Sequence, residues 1–205
     1  LQQKYQNIVD QYSLSWLDFD IEGNALSDYA SNDRRNAAIA AMQRNNPFLR
    51  ISYTLPVETY GLLEDGLKIL VSAKNAGVRV DGKLNNLKQV VNIMTMNFGS
   101  QFPSMGDASI CAANAVRIQL VALGFASTTV GITPMIGQND IKSQFFNQQD
   151  AQKVTQFTKQ TPWVSYIGFW SVQRDNNRQS SNLDSSSNIK QDNLAFSKTF
   201  LAIEN

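Results

Sequence analysis

Asp18, Asp20 and Glu22 occupy alternate positions in the run Leu17-Asp18-Phe19-Asp20-Ile21-Glu22-Gly23. In an extended strand alternate side chains share a face, so three carboxylates point one way and Leu17, Phe19 and Ile21 the other. With a rise of roughly 3.3 Å per residue, neighbouring members sit about 6.6 Å apart at the backbone, near enough for their side chains to meet. Like charges on one covered face repel unless some hold protons or find partners, and the repulsion raises at least one pKa. A carboxyl raised in this way could act as a general acid near neutral pH. Glu22 is the candidate, because it stands at the strand end just before Gly23. Two other arrangements fit the same spacing: the solvated acidic face of an edge strand, and a hard-cation site, for which one strand supplies few ligands. The wholly apolar opposite face and the flanking segments read instead as a central strand.

The rest of the composition narrows the chemistry. The 205 residues include no histidine, so Ser-His, Cys-His and His-metal sites cannot be built from this chain alone. The single cysteine, Cys111, lies in a run of small apolar residues and reads as a buried free thiol. A net charge of +1, with lysine and arginine dispersed, makes no electrostatic case for nucleic acid or an anionic membrane. The longest apolar stretch, around Cys111 to Ala126, is interrupted by Asn114, Arg117 and Gln119, so no membrane span is expected. With 42% hydrophobic and 17% charged residues, the chain reads as one folded domain. It opens on Leu1 with no signal-peptide pattern, and is read as beginning inside a longer protein.

The elements that would position the carboxylates alternate regularly. Strands are expected over Leu14–Glu22, Arg50–Val57, Gln89–Met96, Thr128–Ile136 and Trp163–Val172. Helices are expected over Gln2–Gln11, Asp33–Asn45, Glu64–Asn75 ended by Gly77, Ala108–Leu123 stopped by Gly124, Gln148–Lys159, and Leu194–Ile203. A polar segment, Asn176–Asn193, follows the last strand, and its Ser/Asn-rich part near Ser180–Ser187 reads as a solvated loop. Strict alternation implies parallel βαβ units, in either a doubly wound sheet or part of an eight-fold barrel. No glycine-rich phosphate loop follows any strand. In such folds the C-terminal ends of the strands carry the site, which is where Glu22 falls.

The carboxylate run resembles the family 18 chitinases, whose signature Asp-x-x-Asp-x-Asp-x-Glu lies on the fourth barrel strand. Here it is Ser15, Asp18, Asp20 and Glu22. The resemblance continues through Tyr53-Thr54-Leu55-Pro56 (fifth strand of a bacterial subgroup) and Asn92-Ile93-Met94-Thr95-Met96-Asn97-Phe98-Gly99 (sixth). It extends to Thr133-Pro134-Met135-Ile136-Gly137-Gln138-Asn139-Asp140 (seventh) and to Phe169-Trp170-Ser171 with Arg174-Asp175 (eighth). Three positions depart from it. Ser15 replaces the first Asp, Trp16 stands where Gly is usual and would need room inside the barrel, and Asn97-Phe98 replaces Asp-Tyr.

That resemblance implies an α/β fold comprising strands 4–8 of a (β/α)8 barrel with their helices, and a retaining hydrolysis of β-1,4-linked N-acetylglucosamine polymers. Glu22 would be the proton donor, Asp20 would orient the substrate acetamido group, and Asp18 would share a proton with Asp20. The substrate's own acetamido oxygen would be the nucleophile, with no cofactor and no metal. Trp170 would form the sugar floor, with core packing as the alternative. Met94, Met96 and Met135 would surround the acetamido pocket or simply fill the core. Tyr53 would contact sugar or be a core tyrosine, and Asn97 would lie in the pocket beside Asp20. Partners would be chitin oligosaccharides, with no nucleic acid and no membrane, and action outside the cell. An endo-β-N-acetylglucosaminidase acting on N-glycans, or a non-catalytic chitin-binding relative, would share these features. Residues 1–205 would then form a single catalytic domain lacking its first three βα units, roughly 100 residues. The outer edges of the carboxylate strand and of Trp163–Val172 would stay unpaired without them.

Overall fold

The computed structural model describes residues 1–79, 89–99 and 102–204. Helix α1 (Gln2–Tyr12) leads into β1 (Trp16–Asp20), followed by α2 (Tyr29–Asn45), β2 (Arg50–Glu58) and a short β3 (Gly61–Leu62). Then come α3 (Glu64–Ala76), β4 (Val90–Thr95), α4 (Met105–Ala122), β5 (Thr129–Pro134), a hairpin of β6 (Gly137–Gln138) and β7 (Phe145–Phe146), α5 (Gln148–Gln160), β8 (Val164–Ile167) and α6 (Ala195–Leu201). The hydrogen-bonded order is β1-β2-β4-β5-β8, with β3 folded back on β2. Strand β1 pairs in parallel with β2, and β5 with β8. The alternating α/β architecture therefore matches the sequence expectation. The chain divides into two compact units, Leu1–Pro56 with Leu62–Asn92 and Arg117–Thr129, and Val57–Gly61 with Ile93–Val116 and Val130–Asn205.

In the first unit, β1 and β2 separate two kinds of side chain. Ile21, Ile51, Tyr53 and Leu55 are each 3% exposed or less, and with Leu17 and Phe19 they form the apolar side. Helix α2 packs against α3 through buried amides as well as apolar groups: Asn36 Nδ2 donates to Ser72 Oγ at 3.0 Å and to Ile69 O at 3.3 Å. Gln43 Nε2 likewise donates to Leu49 O at 3.2 Å. The helix starts four residues earlier than expected, at Tyr29, because the Asp28 side chain caps it by accepting from Ser31 N at 3.0 Å. Helix α3 ends on Gly77 in the left-handed conformation (φ 82), as its sequence predicts.

In the second unit, Asp150 ties two helix starts together. It completes a capping box with Asn147 for α5 and accepts from Ser104 Oγ at 2.7 Å and Gly106 N at 2.9 Å at the start of α4. The expected strand Trp163–Val172 is shorter, ending at Ile167. At Gly168 a Cβ would lie 2.6 Å from Tyr166 Oη and 2.7 Å from Thr133 Oγ1, so only glycine fits there, and Gly168 N still donates to Ile132 O at 2.9 Å. Beyond it an isolated bridge joins Met135 to Trp170, with Trp170 N donating to Pro134 O at 2.8 Å and Ile136 N to Trp170 O at 3.0 Å. The stretch 176–193 is a loop as expected, but a firmly fastened one. The buried Arg174 guanidinium donates to Ile136 O (2.8 Å), Gln138 O (2.6 Å) and Leu183 O (2.6 Å).

Two expectations need correction. Cys111 is exposed, because it faces outward from α4 while Ala112 and Ala113 beside it are fully buried. The carboxylate strand β1 lies at a sheet edge among the described residues, the unpaired edge expected above, but its face is not covered, because Asp18 and Asp20 remain open to solvent. Their partners on that face, Ser52 and Thr54, are nonetheless buried.

Candidate active site

The register of β1 on β2 pairs Trp16 with Arg50, Asp18 with Ser52 and Asp20 with Thr54. Because alternation keeps i, i+2 and i+4 on one face, these six side chains form a single polar surface. Asp18 is held there by two hydroxyls: Ser52 Oγ makes a very short hydrogen bond to Oδ1, and Thr54 Oγ1 donates to Oδ2 at 2.6 Å. Asn92, from β4, donates in turn to Thr54 Oγ1 at 3.0 Å. Trp16 resolves its own departure from the glycine pattern. Its ring lies 4.0 Å from the Arg50 guanidinium, and its Nε1 donates to Ser52 Oγ at 2.8 Å.

Asp20 follows on the same face and Glu22 just beyond the strand end. Ile21 N bonds to Thr54 O at 3.1 Å, keeping the backbone extended through Glu22 (φ −134, ψ 167) before Gly23 turns it with φ 51. The crowding of the three carboxylates appears at Asp20, whose carboxyl is pushed up to about 6. Partial burial is the largest cause, although solvent still reaches much of the side chain. The charge of Glu22, a hydrogen bond to Glu22 and the charge of Asp18 add to it. The raised acid of the row is thus the middle one.

Tyr53 does not belong to this surface. It pairs with Phe19 on the opposite face, is 1% exposed, and donates to Asn36 Oδ1 at 2.7 Å, which makes it a core residue. Burial pushes its hydroxyl pKa up.

The second unit carries the remaining candidates. Met94 and Met96 are half-buried, Met94 near the end of β4 and Met96 just past it. Asn97 adopts a left-handed backbone (φ 52), and its amide donates to Asp140 Oδ2 at 2.7 Å and accepts from Ile141 N at 3.2 Å. The buried Asn139 fixes this corner by accepting from Asn97 N at 3.1 Å and donating to Met135 O at 2.9 Å. Met135 is 3% exposed, so it fills the interior, whereas its bridge partner Trp170 leaves 49% of its surface open. Among the described residues, no three His, Cys, Asp or Glu side chains are arranged to hold a metal ion, and no helix is long and apolar enough to cross a membrane.

Sequence reasoning did not single out Ser52, and it gave no role to Thr54, Asn92, Asn139 and Asp140, although these four lie in the motifs quoted above. A signal was present for the first two: Arg50, Ser52 and Thr54 are polar at alternate positions of an otherwise apolar strand.

Comparison with known proteins adds independent information. No family model matches the chain. It is 34% identical over 194 residues to a probable bifunctional chitinase/lysozyme of Escherichia coli, covering 85% of this chain and 21% of that protein. It is 33% identical over 194 residues to endochitinase 11 of Metarhizium anisopliae, covering 85% and 35% respectively. The chain thus spans about a fifth to a third of these relatives. The catalytic domain of a hyperthermophilic chitinase from Pyrococcus furiosus superposes with a TM-score of 0.85 at 29% identity, over 99% of this chain and 65% of that one. A catalytic-site mutant of active domain 2 of the thermostable chitinase from the same organism, complexed with chito-oligosaccharides, gives 0.84 at 27% identity, over 99% and 64%.

Proposed function

We propose, on the premise that this chain is a homologue of chitinase catalytic domains of the family 18 type, that it carries the acid–base machinery for hydrolysing β-1,4-linked N-acetylglucosamine polymers. In this reading its sheet is the strand 4–8 portion of a (β/α)8 barrel. The observation that carries the proposal is the carboxylate row. Asp18 is anchored by two hydroxyls, Asp20 has a raised proton affinity, and Glu22 stands last, at the strand end where such folds place their chemistry.

Glu22 gives its proton to the glycosidic oxygen as the bond to the anomeric carbon breaks. The acetamido oxygen of the same sugar attacks that carbon, forming a cyclic oxazolinium. Glu22, now a carboxylate, takes a proton from water, and the water oxygen opens the ring with net retention. Asp20 accepts from the acetamido N–H and holds the attacking oxygen in line. The exposed ring of Trp170 supports stacking against the apolar face of a sugar. Met94, Met96 and Asn97 would contact the acetamido end of the substrate. The substrate would be an insoluble polymer met outside the cell.

Glu22→Gln in the intact protein should lower turnover of chitin oligomers by about 100-fold or more while oligomer binding persists. Near-normal turnover would reject Glu22 as the acid. Substrate assistance has its own check. A thiazoline analogue of the oxazolinium should inhibit, and rapid cleavage of cello-oligosaccharides, which lack the acetamido group, would rule the mechanism out.

A further inference from the structure

Asp18 faces two hydroxyls, and each hydroxyl has an N–H donor behind it. Trp16 Nε1 donates to Ser52 Oγ at 2.8 Å, and Ser52 Oγ reaches Asp18 Oδ1. Asn92 Nδ2 donates to Thr54 Oγ1 at 3.0 Å, and Thr54 Oγ1 lies 2.6 Å from Asp18 Oδ2. A hydroxyl owns one proton, whereas indole N–H and amide NH2 groups are donors only. Once the hydroxyl oxygen accepts from nitrogen, its own proton is left for the carboxylate. The two chains run in the same sense and end on different oxygens of Asp18. The charged neighbours on this face are Asp20 and Glu22 from the carboxylate run and Arg50 from β2, while β4 contributes the neutral Asn92. The Arg50 guanidinium packs on the Trp16 ring and holds the indole at the head of its chain.

We propose that Trp16 and Asn92 are positioning residues that act through Ser52 and Thr54. They aim one hydroxyl proton at each oxygen of Asp18, so that Asp18 only accepts and the shared proton of the row stays on Asp20, turned toward Glu22. Trp16 then has a role of its own. Its N–H adds an ordering contact that glycine at the same position could not supply. Linked donors polarise one another, so each nitrogen strengthens the hydroxyl bond beyond it. The proposal deepens the hydrolase reading, since the order of protons in the row matters most if Glu22 is the acid.

The test is a carboxyl titration of the intact protein labelled with 13C at aspartate Cγ, with Asp18 and Asp20 assigned from Asp18→Asn and Asp20→Asn. In the parent protein the Asp20 carbon should carry the step near 6. Trp16→Phe keeps a ring over Arg50 but has no N–H, and Asn92→Ala removes the other donor. In each, part of that step should move to the Asp18 signal, and in the double variant most of it should. Ser52→Ala should mimic Trp16→Phe, and combining the two should add nothing further. An unchanged partition in Trp16→Phe, or a Trp16→Phe effect that persists in full on the Ser52→Ala background, overturns the proposal. The titration needs no substrate. An inactive protein with the expected partition would keep the relay and reject the hydrolase reading, and an active one with an unchanged partition would do the reverse.

Discussion

Asp20 has a measurable consequence for stability apart from any reaction. Its carboxyl ionises near 3.8 when unperturbed and near about 6 in the folded protein. Between those values the folded state binds more protons than the unfolded one, so this group's contribution to stability falls as pH rises through that window. The contribution is fully present below the unperturbed value and lost above the folded one. Asp20→Asn removes the titration. The stability of the variant relative to the parent should therefore be higher at about pH 7 than at about pH 4, read from urea midpoints. An equal difference at the two pH values would mean that Asp20 is not the strained member of the row. Tyr53 and Asn36 make a complementary case. Their buried hydrogen bond lies on the other face of the same strands, so Tyr53→Phe should cost about 1 kcal/mol in stability without moving the Asp20 titration.

At the scale of elements, the loop after the short helical turn Val172–Arg174 depends on two positions. Arg174 serves three backbone carbonyls from a fully buried site. Methionine has similar length but no donors, so Arg174→Met should destabilise by about 3 kcal/mol or more, measured by denaturant unfolding. Gly137 is the second. It has φ 71, and a Cβ there would lie 2.0 Å from Ser187 O, while Gln138 N donates to that same oxygen at 2.8 Å. Gly137→Ala must push the loop off β6, and the stretch 176–193 should then become the first site of limited proteolysis. Digestion at the parental rate would show that β6 does not hold it. Asp175 explains why the chain re-enters a helix after this loop. Its carboxylate accepts from Phe196 N at 3.1 Å, Ser197 N at 2.8 Å and Ser197 Oγ at 2.7 Å, and so caps α6 from 21 and 22 residues away in sequence.

At the scale of the molecule, β1 and β8 are the two ends of the strand order, each paired along one side among the described residues. The reading of residues 1–205 as the later part of a barrel makes a direct prediction here. In a longer protein that supplies three preceding βα units, the β1 amides facing away from β2 should be protected from hydrogen exchange. In the 205-residue chain by itself they should exchange rapidly. Equal protection in both would argue against strand addition at that edge.

Much of this was legible in the order of residues, because periodicity is local. Alternation put Asp18, Asp20 and Glu22 on one face, and Gly77 and Gly124 marked helix ends through a backbone conformation that glycine adopts freely. What sequence could not reveal was distance between segments. Tyr53 belonged to a site-like motif, yet register placed it beside Phe19 and Asn36 in the core. Strand Trp163–Val172 read as continuous, yet regular strand ends at Ile167 and the pairing resumes as a bridge at Trp170. The hydroxyls on Asp18 come from residues thirty-four and thirty-six positions away, and only the parallel pairing of β1 with β2 brings them there. Residue type and spacing determined which groups could do acid–base chemistry. Tertiary register decided which of them meet, and so which one carries the raised proton.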